Sequence, residues 1–461
     1  MKKILLVLTI FFTFIQNDAL AQISAQDIVL KMGRGINLGN TLSAPIEGNW
    51  ADPVKKSYFE DVANAGFKTV RIPIRFDKHT TALSEVNYTG NNGEYAGSIS
   101  DYSIDKSYLD RIEEVISWAL EYKLYAIIDV HGDKWFWESF KPNSEYYKTG
   151  NDLKAAIDRF RAIWTAISQR FSDYPGQLLF EIMNEPYFAM DAEQVNQTNI
   201  DILKIIRKTN PTRNIIITGG GKNSWETVMT IKQELLNSDS FLIATFHYYK
   251  PNHFTKSSRE GFDDFEWGTD EDKAQIDLNF EAVANWSKSN NTPVLLGEFG
   301  ADNEGGYNYY KKKYKGFGGP TKESRERYYE YLANKAIDLG FCFTVWDAGE
   351  KSSKTIYLAS SRSWVENIKK AVLGNNSIST NEFQNNLNCT VFPNPCTGTL
   401  HIISNTEVKW VNIYNTKGVL VINKSKNIFN VDLGELSPGF YYIAVYFKDN
   451  RKKVFKILKT G

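Results

Sequence analysis

The chain is poor in the residues that build disulfide and metal frameworks. Three cysteines in 461 residues are too few for a stapled fold. Cys342 sits in an apolar run and is expected to serve as a small buried residue. Cys389 and Cys396 lie close together, and a bridge between them stays open in an oxidising compartment. The five histidines show no His-Glu-x-x-His spacing, so neither a metal site nor a cofactor is expected. An excess of one charge is also missing. With 54 basic and 54 acidic residues, the chain has no field that would attract nucleic acid. Past the N-terminus no stretch approaches the roughly 18 apolar residues of a spanning helix. The mature chain is therefore expected to carry no transmembrane segment.

What is present begins with a leader. Met1-Lys2-Lys3 is positive, residues 4–15 are apolar apart from Thr9 and Thr13, and Ala19-Leu20-Ala21 offers small residues to a peptidase. Residues 1–21 read as a secretory signal peptide. Aromatic residues make up 14% of the chain, with 11 Trp and 25 Tyr. Flat rings with polar tips suit sugar binding, and they also fill large cores.

Eight short apolar runs follow, at 35–40, 69–74, 125–130, 178–182, 214–218, 242–246, 293–296 and 341–345. They are continuous rather than alternating, as in parallel strands covered on both faces. Intervening segments such as 108–122 and 153–171 carry apolar residues at helical spacing. Eight strands alternating with helices imply an α/β chain folded as a (β/α)8 TIM barrel. A doubly wound sheet is the alternative. Gly33-Arg34-Gly35 precedes the first run, however, where a phosphate loop would follow it.

Residues 374–388 are polar and rich in Asn and Ser, a linker composition. Beyond them, short runs at 400–403, 411–414, 419–422, 441–447 and 454–458 are separated by turn signals such as Asn394-Pro395, Lys417-Gly418, Pro438-Gly439 and Asp449-Asn450. This pattern implies a small all-β sandwich. From Cys389 onward ten Lys/Arg stand against four Asp/Glu, a net of +6, read as a solvated face. The expected domains are 1–21 signal peptide, 22–373 barrel, 374–388 linker and 389–461 sandwich.

In such a barrel the residues that end each strand face one bowl. Those residues are Asn37 and Asn40, Arg71, His131, Asn184 and Glu185, His247 and Tyr249, Glu298 and Trp346, with Gly219-Gly220-Gly221 after the fifth run. Taken singly, Arg71 reads as structural, His131 as a satisfied core residue and Trp346 as packing. Converging on one rim, they have the form of an active site. Two carboxylates stand out. Glu185 follows Leu-Leu-Phe-Glu-Ile-Met-Asn, and Glu298 follows Pro-Val-Leu-Leu-Gly. Burial raises a carboxyl pKa and a nearby arginine lowers it, which yields the protonated and ionised pair that glycoside hydrolysis needs. A gap of about 5–5.5 Å between the pair implies retention, and about 6.5–9.5 Å implies inversion. The sequence leaves that gap open. Glu181 and Asp129 also sit on strands, where basic groups can pair with them.

Gly35-Ile36-Asn37-Leu38-Gly39-Asn40-Thr41-Leu42, Thr69-Val70-Arg71-Ile72-Pro73, Met183-Asn184-Glu185-Pro186, Phe246-His247-Tyr248-Tyr249 and Gly297-Glu298-Phe299-Gly300 together resemble glycoside hydrolase family 5, the cellulase A family. The resemblance covers residues 27–370. It implies a retaining double displacement with Glu185 as acid/base and Glu298 as nucleophile. It further implies that Asn184 binds the sugar 2-hydroxyl and Arg71 keeps Glu298 ionised. His131 and His247 would orient hydroxyls and the acid, Tyr249 would bond Glu298, and Trp346 would form a stacking floor. Asn37 supports the same site. Trp50, Trp135, Trp137, Trp225 and Trp267 lie in loops near the rim and are candidates for further sugar subsites. Many family members carry two adjacent histidines after the third strand. Here His131 is followed by Gly132 and Asp133, which bears on subsite preference.

The C-terminal region resembles a type IX secretion sorting domain through Val391-Phe392-Pro393-Asn394-Pro395, Val411-Asn412-Ile413-Tyr414, Leu436-Ser437-Pro438-Gly439-Phe440-Tyr441-Tyr442 and Lys452-Lys453-Val454-Phe455-Lys456. That implies the type IX machinery as a partner, and a location outside the cell or on its outer surface. A carbohydrate-binding module is the rival, but Trp410 and Tyr414 fall in strand patterns and read as core. The leading expectation is a monomeric, secreted endo-β-1,4-glucanase acting on β-linked polysaccharide or oligosaccharide. Mannanase, xyloglucanase, mixed-linkage glucanase and xylanase activities stay open. Two other classes stay open as well: a non-catalytic glycan-binding surface protein, and a metal-dependent hydrolase that a chelator would silence.

Overall fold

The computed structural model describes residues 23–81, 90–132, 134–144, 150–374, 389–404, 407–416, 419–425, 428–448 and 452–460. The expected signal peptide lies outside them, as does the expected linker beyond Gly374. The chain divides into two compact units at residues 378/379.

The first unit is a closed barrel. Its strands are β1 (Arg34–Asn37), β2 (Thr69–Ile74), β3 (Tyr125–Val130), β4 (Leu178–Glu181), β5 (Ile215–Ile217), β6 (Leu242–Tyr248), β7 (Val294–Phe299) and β8 (Cys342–Val345). Each pairs in parallel with its sequence neighbours, and β1 closes the ring against β8. The expected eight runs are these eight strands. Nearly every strand residue is buried, which is why the runs are apolar without alternation. The helices α2 (Lys56–Ala65), α3 (Lys106–Glu121), α4 (Gly150–Arg170), α5 (Ala192–Arg207), α6 (Gln233–Ser238), α7 (Asp270–Asn290), α8 (Lys322–Asp338) and α9 (Glu366–Leu373) alternate with the strands.

A further helix, α1 (Ala25–Met32), precedes β1. Ser24 caps it by accepting from the Asp27 amide at 3.1 Å, and Gly33 ends it at a φ of 47°, where a Cβ would be strained. Its Ala25, Ile28, Val29 and Met32 meet Ile127, Leu179, Ile216, Ile243, Leu295 and Cys342 from six successive strands. The helix therefore stoppers one end of the barrel. Each fully buried Ile, Val or Met contributes about 1.5–3 kcal/mol relative to exposure.

Two strands run further than their apolar runs. β6 continues through His247 and β7 through Glu298. Polar side chains end the apolar pattern, but backbone pairing does not depend on side-chain polarity. The glycines after β5 serve close packing: a Cβ on Gly219 would lie 2.0 Å from the Thr227 carbonyl oxygen, and one on Gly220 would lie 2.4 Å from Val195.

The second unit is an antiparallel sandwich. Its strands are β9 (Cys389–Phe392), β10 (Thr399–Ser404), β11 (Val408–Asn415), β12 (Leu420–Lys424), β13 (Asn430–Asp432), β14 (Gly439–Phe447) and β15 (Lys452–Lys459). A three-stranded sheet β9-β10-β13 and a four-stranded sheet β12-β11-β14-β15 share one core that includes Leu400, Val411, Ile413, Val431, Ile443 and Val445. Cys389 and Cys396 belong to that core as free thiols. Trp410 and Tyr414 do not. Successive strand residues point to opposite faces, so Val411 and Ile413 turn inward while Trp410 and Tyr414 stay half-exposed. Trp410 stacks on Tyr446, with ring centroids 5.0 Å apart.

Candidate active site

The strand ends open into a cleft of about 1130 Å³, counting the space open to solvent. His131, Asn184, Glu185, Tyr249, Glu298 and Trp346 line it. Asn37, Arg71 and His247 lie directly behind them, at 0%, 0% and 4% exposure. A second hollow, of about 940 Å³, holds Asp347 and Glu350. Those acids are tied down: Asp347 accepts from the Gly349 and Ile356 amides, and Glu350 accepts from Ser360.

Arg71 on β2 organises the floor. Its guanidinium donates from Nε and Nη2 to Glu181, at 2.7 and 2.9 Å. It donates from Nη1 to Glu298 Oε1 at 2.9 Å and to Asn37 Oδ1 at 3.0 Å. It also donates from Nη2 to Asn184 Oδ1 at 2.8 Å, and Asp129 stands 3.1 Å from the same nitrogen. One cation thus faces three carboxylates. Burial leads Glu181 to titrate above its ordinary value, with Arg71 opposing. Asn37 is fixed from both ends, since its amide nitrogen donates to the Gly297 and Thr344 carbonyls at 3.0 and 2.9 Å. Because Arg71 takes the Asn184 oxygen, the Asn184 NH2 is left as a donor on the cleft side.

Glu298 is held at both oxygens, because the Tyr249 hydroxyl donates to Oε2 at 2.9 Å. A donor at each oxygen fixes the orientation of the carboxylate. Glu185 follows β4 on a segment that keeps bonding to the barrel, with the Ile182 amide on the Ile216 carbonyl and the Asn184 amide on the Val130 carbonyl. His247 Nδ1 lies 2.7 Å from Glu185 Oε1 and 3.6 Å from Glu298 Oε2. Burial pushes the Glu185 carboxyl up, but the hydrogen bond and charge of His247 outweigh it and hold the group below the usual range. For His247 burial acts downward, and the two carboxylates outweigh it and hold the imidazole above its ordinary value. The two shifts run in opposite directions, so Glu185 and His247 act as one proton-sharing pair.

Local geometry seats His247 beside Glu298. The β6–β7 register slips by one between Phe246 and His247, so that His247 pairs with Glu298. A Cβ on Gly297 would lie 2.8 Å from Thr245 Oγ1 and 2.9 Å from His247 Nε2, so only glycine leaves room for the ring. Across the cleft, His131 donates to or accepts from Asp129 at 3.1 Å and lies parallel to the Trp346 ring at 5.9 Å.

The five loop tryptophans fare differently. Trp267 is 2% exposed and meets Tyr328 and Tyr331, so it is a core residue with no face for a sugar. Trp135 and Trp137 are buried as well, Trp135 beneath the Arg159 guanidinium. Trp225 packs on the core. Trp50 is exposed beside Arg75. None of the five is among the described residues lining the cleft. In their place stand Tyr187, whose hydroxyl bonds Glu185, and the exposed Phe188. Their one sequence signal is adjacency to Asn-Glu-Pro.

An oxygen of Glu185, an oxygen of Glu298 and a nitrogen of His247 all lie within 4.8 Å of one another. Residues 33–352 match the family model described as cellulase, glycosyl hydrolase family 5. The chain belongs to that family. Its family 5 domain is 39% identical over 323 residues to endoglucanase H of Acetivibrio thermocellus, taking in 70% of this chain and 30% of that protein. The chain thus spans less than a third of that relative. Against endoglucanase B of Clostridium cellulovorans it is 31% identical over 344 residues, 71% of this chain and 69% of that one. A solved endoglucanase superposes with a TM-score of 0.63 at 31% identity, covering 76% of this chain and 100% of that one. Thermotoga maritima Cel5A, solved with cellobiose, gives 0.61 at 27% identity, covering 76% and 99%. Residues 390–460 match the secretion system C-terminal sorting domain, so the family 5 domain is joined to an export module. No described helix is long and apolar enough to cross a membrane.

Proposed function

We propose that the family 5 domain is a retaining endo-β-1,4-glucanase, secreted through its C-terminal sorting domain, with the domain limits 22–373 and 389–461 flanking a linker at 374–388. The observation that carries the mechanism is the gap between the two acids. Oxygens of Glu185 and Glu298 within 4.8 Å fall on the short side of the range, where the second carboxylate attacks directly and leaves no room for a water.

Glu298, oriented by Arg71 and Tyr249, attacks the anomeric carbon. Glu185 draws the proton it shares with His247 across their 2.7 Å contact and passes it to the departing glycosidic oxygen. The ester on Glu298 is then hydrolysed by a water that Glu185 deprotonates. The charge on Glu298 raises the proton affinity of Glu185 while an acid is needed. Ester formation removes that charge just as a base is needed. Asn184 would donate to the sugar 2-hydroxyl, and Trp346 would stack beside the cleaved bond. The endoglucanase names of the relatives support β-glucan as substrate. Mannan is a second reading, because Thermotoga maritima Cel5A has also been solved with mannotriose.

The test is the anomeric configuration of the first product by NMR, together with two variants. Retention is expected. Glu185→Gln should lose about 10²–10⁴-fold in rate on a polysaccharide, yet keep the first step on an aryl glycoside whose leaving group needs no proton. Glu298→Gln should lose turnover of both. An inverted first product, or wild-type turnover by Glu298→Gln, would sink the mechanism.

A further inference from the structure

One flank of the cleft is crowded with positive charge. Lys250, Lys256, Arg259 and Lys354 line it, while its only acids among the described residues are Glu185 and Glu298. Lys250 pairs with Glu226 at 3.1 Å. Lys354 pairs with Asp302 at 2.6 Å, and Asp302 is already committed to the amide and hydroxyl of Ser258. Among the described residues no carboxylate lies within ion-pair distance of Lys256 or Arg259. Burial above all holds the Lys354 ammonium below its ordinary value; Asp302 opposes it, and the charges of Arg259 and Lys256 add to the depression. Like charges gathered in this way cost stability unless an anion joins them. The cluster starts at the exposed Arg259 on the rim. It ends at Lys354, whose ammonium sits 5.8 Å from the centre of the Tyr249 ring, the same tyrosine that bonds Glu298. A neutral glucan offers hydroxyls alone and needs no net charge beside the cleft.

We infer that this flank is a subsite for a carboxylate carried on the sugar chain, with Lys256 and Arg259 as its recognition groups. The inference rests on the glycanase reading above and adds its substrate class: β-glycans bearing acidic substituents. Arg259 offers the planar fork that matches a carboxylate at two points, and Lys256 offers a second charge.

The test compares a carboxymethyl β-1,4-glucan with a hydroxyethyl β-1,4-glucan, using wild type and a Lys256→Gln/Arg259→Gln double variant. Wild type should prefer the anionic polymer at low salt, and the preference should shrink as ionic strength rises toward about 0.5 M. The double variant should lose on the order of three- to tenfold in kcat/KM on the anionic polymer, through KM, with the neutral polymer unchanged. Equal losses on both polymers, or no loss on either, overturn the subsite. Should wild type cleave neither polymer, the glycanase reading fails on its own. Affinity electrophoresis in each polymer then still reads the charge preference, because retardation needs no turnover. Equal retardation of wild type and variant in the anionic gel also overturns the subsite.

Discussion

His247 touches both acids and so sets the pH at which they can work. In the wild type the pair with Glu185 loses its useful proton above the ordinary imidazole value, because the carboxylates hold His247 up. In His247→Asn the cation that depresses Glu185 is gone. Burial then pushes the lone carboxyl up, against the Tyr187 hydrogen bond and the His131 charge, and the proton no longer has an imidazole to hold it. The alkaline limb of kcat/KM should therefore move to lower pH by on the order of one unit. A pH profile of the variant checks this, and an unmoved limb would show that His247 does not hold the proton. At this scale the sequence was informative where chemistry interrupts a pattern. Glu185 and Glu298 are legible because each acid ends an apolar run. Arg71 is legible for the same reason, but its ties to Glu181, Asp129 and Asn37 are not, since they depend on which strands become neighbours. Tyr187 and Phe188 look like any loop aromatics. Trp135, Trp137 and Trp267 looked like rim residues and turned inward, because a loop sequence does not state which way its rings face.

Among the elements, the eight strands were readable as continuous apolar runs, since both faces of a barrel strand are covered. The slip between β6 and β7 was not. Register is a relation between two strands, and neither run carries a mark of it. Gly297 is its closest trace, a residue without a side chain at the point where His247 leans over β7. Gly297→Ala should push the ring off its seat beside Glu185 and Glu298. A displacement of about 1 Å in a catalytic group can cost on the order of 10²-fold in rate. Circular dichroism and the melting temperature would separate this from unfolding. A folded variant with wild-type kcat would show that the ring tolerates the methyl. The helix α1 also went unread, because eight residues ahead of the first strand are too few for a periodic signal.

For the molecule as a whole, the two units were legible from the change in pattern near residue 374, where mixed α/β runs give way to short strands and turns. Each unit has its own apolar core. The stopper made by α1 has a consequence for the free thiol at the barrel floor. Cys342 is buried against that helix, and burial pushes its thiol pKa up, so it cannot react while α1 is seated. The rate at which a thiol-specific dye labels Cys342, resolved by peptide mass, should therefore follow the opening of α1 in the native protein. Met32→Ala should speed that labelling without a matching change at Cys389 or Cys396. Labelling of Cys342 no faster than the barrel's own unfolding, followed by circular dichroism, would point to global unfolding of that unit instead. In this way one inert sulfur becomes a clock for how often the barrel lets water in from below.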